Sequence, residues 1–465
     1  EQTARFVPEG LFLHEWLVWR DLLLDDTRSA LSPSPALMAR FAKAGLVPVK
    51  PAISGFPLSR AHTDPTPFPY PKTAAAGAGS PNIVFVLVEQ LNYEFIHAFS
   101  GELPTVMPEL SALAERITMV TDYQSVTQPT INALVASLCS GYSAAPYRDL
   151  NAGHGSEMLE RTPLTCLPEI LRDHGYRTVY IQAGNNGFAG TEGFLRAHGF
   201  SEIYGMPELQ ARYPDRGSTH WGVHDDTLVA FTEAKIRDLE AQRAKDGRPF
   251  FVMTQTIDTH APGHPPTDCP LPSDLKAITR DGDSRMMLRT LHCTDKALAE
   301  LGRFIVDDPV RGPTTVMAMT GDHPSYAMKF LEDIHRKHGD VFGRWSGRLP
   351  LLLHDPLHVL PGRVPVLSGH IDLAPTLLHI IGLGDVPSAM VGFSIFGLRP
   401  AFPVLVGRLA PKYVALYEPG RTVSTTVSAV GELCRTHTPL MPADPKALTA
   451  CELAEWVRWQ DALWK

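Results

Sequence analysis

The sequence predicts an α/β fold in which helices flank a mostly parallel central sheet, with a small antiparallel β subdomain at the C-terminal end. Two observations predict the main sheet. Continuous apolar runs, typical of strands buried on both faces, occur in NIVFVLVEQL, RTVYIQAG, PFFVMTQTIDTH, TTVMAMTGDH and RLPLLLHD. Helical patterns lie between them, in LPEILRDHG, DDTLVAFTEAKIRDLEAQRA and MMLRTLHCTDKALAELGRFI. Strands that alternate with helices indicate a parallel sheet.

The elements divide the chain into three predicted sections. Residues 1–80 form a lead-in with helical patterns in LFLHEWLVWRDLLLDD and ALMARFAKAGL, followed by the Pro-rich stretch DPTPFPYPKTAAAGAGSP, which is typical of a linker. The α/β domain is expected over residues 81–400. The segments FPVLVGRL, KYVALYEP and RTVSTTVSAV predict antiparallel strands in a subdomain over residues 401–465, with a final helix in CELAEWVRWQDALWK.

Composition narrows the class of protein. The chain has 465 residues, of which 44% are hydrophobic, and a formal net charge of -8 without a basic block, which argues against nucleic acid as a partner. No apolar run approaches the roughly 20 residues of a membrane helix. Because the chain begins with Glu and shows no signal peptide, we expect it to be the mature or truncated soluble portion of a longer protein.

Six cysteines leave two interpretations open. No CxxC pair is present, so a zinc knuckle is not expected. Six buried thiols in a reducing compartment are one possibility. The even count and the order along the chain favour an oxidising compartment with local disulfides, which would join neighbouring cysteines: Cys139 with Cys166, Cys269 with Cys293, and Cys434 with Cys451.

Polar side chains follow three of the predicted strands. Glu89 follows the first run, Asp258 and His260 follow another, and Asp322 and His323 follow a third. Each could be an ordinary strand end or loop residue. Ligands of open α/β sheets bind beyond the carboxyl ends of the strands, so these residues would converge on one crevice. Carboxylates and imidazoles are suitable metal ligands, and a histidine there could act as general acid or base.

The stretch TQPT at residues 127–130 precedes a helical pattern and has two interpretations. Thr130 could cap the helix, with Pro129 in its first turn and Gly141 at its end. Thr127 would then lie at the positive helix end, where an anion is favoured, and would be a nucleophile if a metal or base removed its proton. The helix is predicted from the apolar positions Ile131, Leu134, Val135 and Leu138.

Together these motifs resemble the alkaline phosphatase superfamily. The similar features are the strand before Glu89, Thr-x-Pro-Thr at a helix start, Gly-Asp-His, and IDLAPTLLHIIGL at residues 371–383. The sulfatase branch has Cys or Ser, one residue, then Pro-Ser-Arg at the TQPT position, and consecutive aspartates on its metal. Here Ile131 replaces the arginine and a single Glu89 stands on the first strand, so the resemblance to that branch is weaker.

The lipoteichoic-acid-synthase branch is more similar. That resemblance implies a nucleophilic Thr127 and one divalent metal ion held by Glu89, Thr127, Asp322 and His323. It favours manganese, with zinc, magnesium and calcium as alternatives. It also implies that His260 is a substrate-site histidine, which we expect to protonate the leaving oxygen or activate the acceptor.

The phosphoglycerol transferases of osmoregulated periplasmic glucan synthesis are more similar still. The resemblance rests on PTINALVASLCSG, the stretch from CLPEILRDHG to GMPEL, WGVHDDTL and TIDTHAPG, and supports the first two cysteine pairs. Thr191 stands where that family usually has lysine. The resemblance implies transfer of phosphoglycerol from a phosphatidylglycerol-like lipid at a membrane surface to a glucan. It further implies a periplasmic location, as the soluble part of an inner-membrane-anchored protein.

Two groups of residues are predicted to contact the substrates, and alternative roles and functions stay open. Trp221 could equally be a packing residue, and His224 an ordinary helix-entry residue. His370 could add a ligand for a second metal, but we favour a structural role for it and for Asp372. A phosphodiesterase or sulfatase-type hydrolase on the same scaffold is the alternative function, and a non-catalytic binding module is a third. The donor pocket is expected to contain Asn185, Asn186 and Phe188, and the acceptor side Trp221, His224 and Asp225.

Overall fold

The computed structural model describes the chain in sections. The Pro-rich stretch up to residue 78 and the helical pattern predicted over residues 11–26 lie outside the described residues. The described residues are 35–43, 46–47, 59–60, 79–142, 160, 164–325, 331, 347–386, 390–397, 405–410, 413–418, 421–426 and 449–454.

A nine-stranded sheet forms the centre of the described structure. Its strand order is β10-β4-β9-β8-β3-β7-β5-β6, and β11 also pairs with β4. All neighbours are parallel except β9, which is antiparallel to both β4 and β8. The strands are β3 (Asn82–Val88), β4 (Thr118–Gln124), β5 (Arg177–Gln182), β6 (Glu202–Tyr204), β7 (Phe250–Gln255), β8 (Thr315–Gly321), β9 (Arg348–His354), β10 (Arg363–Val364) and β11 (Ser368–Gly369).

Eleven α-helices are described, and most of those in the main domain pack on the two faces of the sheet. The segments predicted as helices near Leu167, Asp225 and Met286 all form helices. In chain order the helices are α1 (Pro35–Lys43), α2 (His97–Ser100), α3 (Pro108–Ala114), α4 (Thr130–Cys139), α5 (Leu167–Asp173), α6 (Thr191–Ala197), α7 (Met206–Arg212), α8 (Asp225–Asp246), α9 (Ser273–Ile278), α10 (Gly282–Val306) and α11 (Leu373–Ile380).

The central strand β3 shows why its sequence is apolar throughout. Successive strand side chains point to opposite faces, and both faces of this sheet are covered. Ile83, Phe85 and Leu87 lie in one core cluster, and Val84 and Val86 lie in the other. All seven residues of β3 are buried. The continuous run was therefore correctly interpreted as a strand buried on both faces.

The carboxyl ends of all the strands except β9 gather at one edge of the sheet, here called the carboxyl edge. β3 lies between β7 and β8 and is parallel to both. β9 is antiparallel to both β4 and β8, so β4 also ends at this edge. The segments that follow β3, β4, β7 and β8 therefore start side by side, although they are far apart in sequence.

Smaller sheets lie outside the central one. β1 (Leu46–Val47) pairs antiparallel with β2 (Ser59–Arg60). Near the C-terminal end, β12 (Leu405–Ala410), β13 (Tyr413–Glu418) and β14 (Arg421–Thr426) form the antiparallel sheet that the sequence predicts. Residues 451–454 of the expected final helix are helical. Among the described helices, none is both long and apolar enough to cross a membrane.

The structure contains two of the expected disulfides. Cys139, at the end of α4, is bonded to Cys166, and Cys269 is bonded to Cys293. Cys451 is also disulfide-bonded. Cys434 lies outside the described residues, so its pairing stays a prediction.

Candidate active site at the carboxyl edge of the sheet

Three metal-competent side chains meet at the carboxyl edge. Glu89 directly follows β3, and Asp322 and His323 directly follow β8. Their ligand atoms all lie within 4.8 Å of one another. His323 Nε2 is 3.4 Å from Asp322 Oδ2 and 3.8 Å from Glu89 Oε1. The structure therefore brings together three of the four residues proposed as ligands in one buried cluster.

Hydrogen bonds to the main chain fix the Glu89 turn. The Glu89 N–H donates to Thr256 Oγ1 at 2.9 Å, and the Thr259 hydroxyl donates to the Glu89 carbonyl. The Gln90 N–H donates to Asp322 Oδ1 at 2.8 Å. These bonds join the ends of β3, β7 and β8, so the cluster rests on rigid elements.

The electrostatics of the cluster suit a divalent cation. Burial, and next the neighbouring Asp322 carboxyl, raise the pKa of Glu89 well above its usual range, while the hydrogen bond from the Thr130 hydroxyl opposes this. Glu89 Oε1 and Asp322 Oδ2 are buried, and neither accepts a hydrogen bond within the described residues. Two buried carboxylate oxygens that lack donors are costly unless a positive charge compensates them. Oxygen and imidazole ligands in this arrangement fit a divalent metal ion.

The TQPT stretch enters this cluster through Thr130. α4 begins at Thr130, and Pro129 is its N-cap residue, with no side-chain capping bond. Thr130 is therefore the first residue of the helix and not its cap, and Pro129 lies at the helix start. The Thr130 hydroxyl instead donates to Glu89 Oε2 at 3.2 Å. The reason is proximity, because the helix start packs against the end of β3.

Thr127 lies three residues before α4 in the segment that follows β4. It is 1% exposed, and its carbonyl accepts a hydrogen bond from the Ser125 hydroxyl at 3.1 Å. The Val126 N–H points at His370 Nδ1, 3.5 Å away. Thr127 is thus held at the positive end of a buried helix. Its role as nucleophile and ligand stays a prediction.

His370 connects the two sides of the cluster. It is completely buried, and its Nε2 donates to the Gly321 carbonyl at 2.9 Å, directly before Asp322. Its other ring nitrogen faces the Val126 N–H. Burial lowers the pKa of His370 to about 4, so the ring is neutral at ordinary pH. Since main-chain groups face both nitrogens, the structural role is supported rather than that of a second-metal ligand.

His260 lies above the cluster against an aromatic wall. Its ring centroid is 4.2 Å from that of Trp221, which also contacts Phe188 in an edge arrangement at 6.0 Å. Burial, aided by the charge of His323, lowers the pKa of His260 to about 4. At neutral pH the ring is therefore an unprotonated base. One face of the Trp221 ring therefore packs against His260.

His224 and Asp258 form a carboxylate–imidazole pair beside His260. His224 Nδ1 donates to Asp258 Oδ1 at 2.9 Å, and this bond raises the pKa of His224. Asp225 is buried and accepts bonds from the Ile257 N–H and the Thr294 hydroxyl. Asp225 therefore fastens the start of α8 to the loop after β7. The structure gives it an internal role and leaves Trp221 and His224 as the partly exposed members of the predicted acceptor side.

The predicted donor loop follows β5. Asn186 is 9% exposed, and its Oδ1 accepts a bond from the Gln182 side chain at 2.8 Å. Asn185 is exposed and accepts from the Gly187 N–H at 2.9 Å. Phe188 is 47% exposed. The side-chain oxygens of the two asparagines thus accept hydrogen bonds from neighbouring residues of this segment. Phe188 presents an aromatic surface beside Trp221.

The sequence matches a known protein family. The family model described as Sulfatase matches residues 81–383. The chain belongs to the sulfatase family. It is therefore a sulfatase-family enzyme. The departures at Ile131 and Glu89 distinguish it within the family and do not exclude it.

Curated relatives of this family member share one name. Phosphoglycerol transferase I of Xanthomonas euvesicatoria is 30% identical over 310 residues, which are 65% of this chain and 41% of that protein. Phosphoglycerol transferase I of Salmonella typhi is 29% identical over 245 residues, which are 52% of this chain and 30% of that protein. The chain thus spans less than half the length of these relatives.

Solved structures show the same fold at low sequence identity. The lipoteichoic acid synthase LtaP of Listeria monocytogenes has a TM-score of 0.62 and 17% identity, over 91% of this chain and 97% of that chain. An alkaline phosphatase superfamily protein of Vibrio parahaemolyticus has a TM-score of 0.62 and 17% identity, over 94% of this chain and 100% of that chain. The likeness extends beyond the residues that the family model matches.

Proposed function

We propose that this chain transfers phosphoglycerol from a phosphatidylglycerol-like lipid to a glucan through a covalent intermediate on Thr127. The observation that supports this best is the buried Glu89, Asp322 and His323 cluster at the start of the helix that follows Thr127. The similarity to proteins named phosphoglycerol transferase I supports the donor and the group transferred. We further propose a periplasmic location, with the lipid donor at a membrane surface.

One divalent metal ion would be held by Glu89, Asp322, His323 and the Thr127 hydroxyl. When bound, such an ion lowers the pKa of a nearby hydroxyl and polarises phosphoryl oxygens. We propose manganese, with zinc, magnesium or calcium as alternatives.

We assign His260 to the proton transfers on the side of the lipid and acceptor oxygens. His260 is unprotonated at neutral pH because burial lowers its pKa to about 4, so it can accept a proton there. Thr127 releases its hydroxyl proton to solvent and attacks phosphorus, and the bond between phosphorus and the diacylglycerol oxygen breaks on the opposite side. That oxygen takes up a proton from solvent, relayed by His260. In the second step the acceptor hydroxyl gives its proton to His260 and attacks phosphorus, the bond between phosphorus and Thr127 breaks, and the Thr127 oxygen takes up a proton from solvent.

The test is mass spectrometry of the protein after incubation with phosphatidylglycerol vesicles and manganese. We expect a phosphoglycerol adduct on Thr127, release of diacylglycerol, and loss of both in Thr127→Ala. Thr130→Ala is the matched control, because Thr130 touches Glu89 directly and is three residues away. An adduct on Thr130 would refute the assignment of the nucleophile. Release of glycerol phosphate to water, unchanged by added glucan, would instead favour the hydrolase.

A further inference from the structure

Gln90 is a buried side chain whose role the proposed reaction does not yet explain. It follows Glu89 in the turn after β3 and is 1% exposed. Neither its Nε2 nor its Oε1 has a hydrogen-bond partner within the described structure. A carboxamide can donate two hydrogen bonds and accept two, and a buried amide that makes none is costly. Such a group in a native fold calls for an explanation.

The backbone of Gln90 is also unusual. Its φ is 50°, in the left-handed region that favours glycine. Its N–H is held by Asp322 Oδ1 at 2.8 Å, which fixes the turn in this conformation. A strained, buried and unsatisfied residue beside a catalytic cluster is the pattern expected of a ligand contact.

The surroundings decide which end of the amide faces the site. Gln90 directly follows Glu89, and the buried Glu89 Oε1 has no hydrogen-bond donor among the described residues. The neighbouring Asp322 Oδ2 also lacks a donor among the described residues. Two carboxylates repel the amide oxygen and attract the amide N–H groups. The donor end therefore faces the cluster, where a phosphoryl group would lie.

We propose that the Gln90 carboxamide binds the transferred group by donating a hydrogen bond from Nε2 to a non-bridging phosphoryl oxygen. This inference rests on the proposed function, because it takes the Glu89 cluster as the phosphoryl site. A neutral donor suits this position, since a bond to an anionic oxygen is charge-assisted and the amide adds no positive charge to compete with a metal ion. Gln90 is thus a contact of the substrate phosphate and not a metal ligand.

The test measures binding and not turnover. Calorimetric titration gives the Kd of manganese alone for wild-type protein and Gln90→Met, and then the Kd of inorganic phosphate for each manganese-loaded protein. Methionine keeps the length of the side chain and removes both polar atoms. We expect an unchanged manganese Kd and a phosphate Kd weakened about 10-fold to 100-fold, as for a lost bond to a charged group.

Two further variants keep the test decisive. Gln90→Asn tolerates the left-handed backbone better and withdraws the amide by one methylene, so it should fold and also bind phosphate more weakly. Gln255→Met is the matched control, because Gln255 is another buried glutamine, but its Oε1 accepts a bond from the Tyr180 hydroxyl at 2.5 Å. It should lose stability and keep the phosphate Kd.

The outcomes separate this inference from the proposed function. An unchanged phosphate Kd in Gln90→Met, or wild-type protein that binds no phosphate, would overturn the Gln90 contact. A weakened manganese Kd would overturn it as well and make the amide oxygen a metal ligand. Failure of glucan transfer with the expected phosphate result would refute the acceptor assignment and leave the Gln90 contact in place.

Discussion

Protonation of His370 should control how the protein loses stability in acid. The ring is completely buried, and its pKa is lowered from 6.5 to about 4 by burial. Below pH 6.5 the unfolded chain takes up a proton on this imidazole, whereas the folded protein does not until about pH 4. The unfolded state therefore binds more protons in this window, and stability falls as the pH falls.

The two pKa values of His370 set the size of the effect. They correspond to a loss of about 2 kcal/mol at pH 5 and about 3 kcal/mol at pH 4, relative to neutral pH. These values exceed a tenth of the typical free energy of unfolding of a domain, about 5–15 kcal/mol. Because the ring is buried, solvent does not screen the effect.

Urea unfolding of wild-type protein and His370→Gln, with chelator present, measures this contribution. Glutamine is neutral at every pH and can keep a donor for the Gly321 carbonyl. We expect the variant to be less stable at pH 7, where it loses good packing, and the difference to shrink by about 3 kcal/mol as the pH falls to 4. Groups other than His370 cancel in this comparison. Stability curves that stay parallel from pH 7 to pH 4 would refute the reasoning.

Two further predictions concern the disulfides and the proposed metal site. Replacing Cys139 and Cys166 by serine opens a loop of 27 residues and should cost about 3.5 kcal/mol in urea unfolding. The pair Cys269 and Cys293, 24 residues apart, should cost a similar amount, and no loss in either variant would contradict the loop argument. Manganese at 100 times its Kd should stabilise the protein by about 2.7 kcal/mol, seen as a raised Tm. Asp322→Asn should remove the shift, and an equal shift in that variant would exclude the proposed site.

The strand ends could be predicted from the sequence because strands that are buried on both faces are continuous apolar runs. β3, β7 and β8 are continuous apolar runs, and the polar residue after each run marks its carboxyl end. The sequence alone therefore predicts that Glu89, Asp322 and His323 lie close together, since parallel strands end at a common edge.

The errors and omissions arose where tertiary contacts override local preference. Thr130 has the residue type and position of a helix cap, yet its hydroxyl bonds to Glu89, 41 residues earlier. Gln90 gave no local signal, because a glutamine after a strand normally reaches solvent. The bonds of His370 to segments 49 and 244 residues away likewise depend on the assembled sheet. No periodicity along the chain reports such contacts.

The strand order has a consequence for how the molecule folds. β3 can form its parallel pairs only after the chain has closed loops that span most of the domain, and the bonds that fix Glu89 and Gln90 join residues 167 and 232 positions apart. Contacts of such long sequence separation make folding slow, because the entropy of loop closure is lost before the pairing compensates it. No fragment that lacks Glu89, or that ends before Asp322 and His323, contains the ligand cluster. Metal binding would therefore report the pairing of β3 with β8, and chains in which this pair has not formed would carry no partial site.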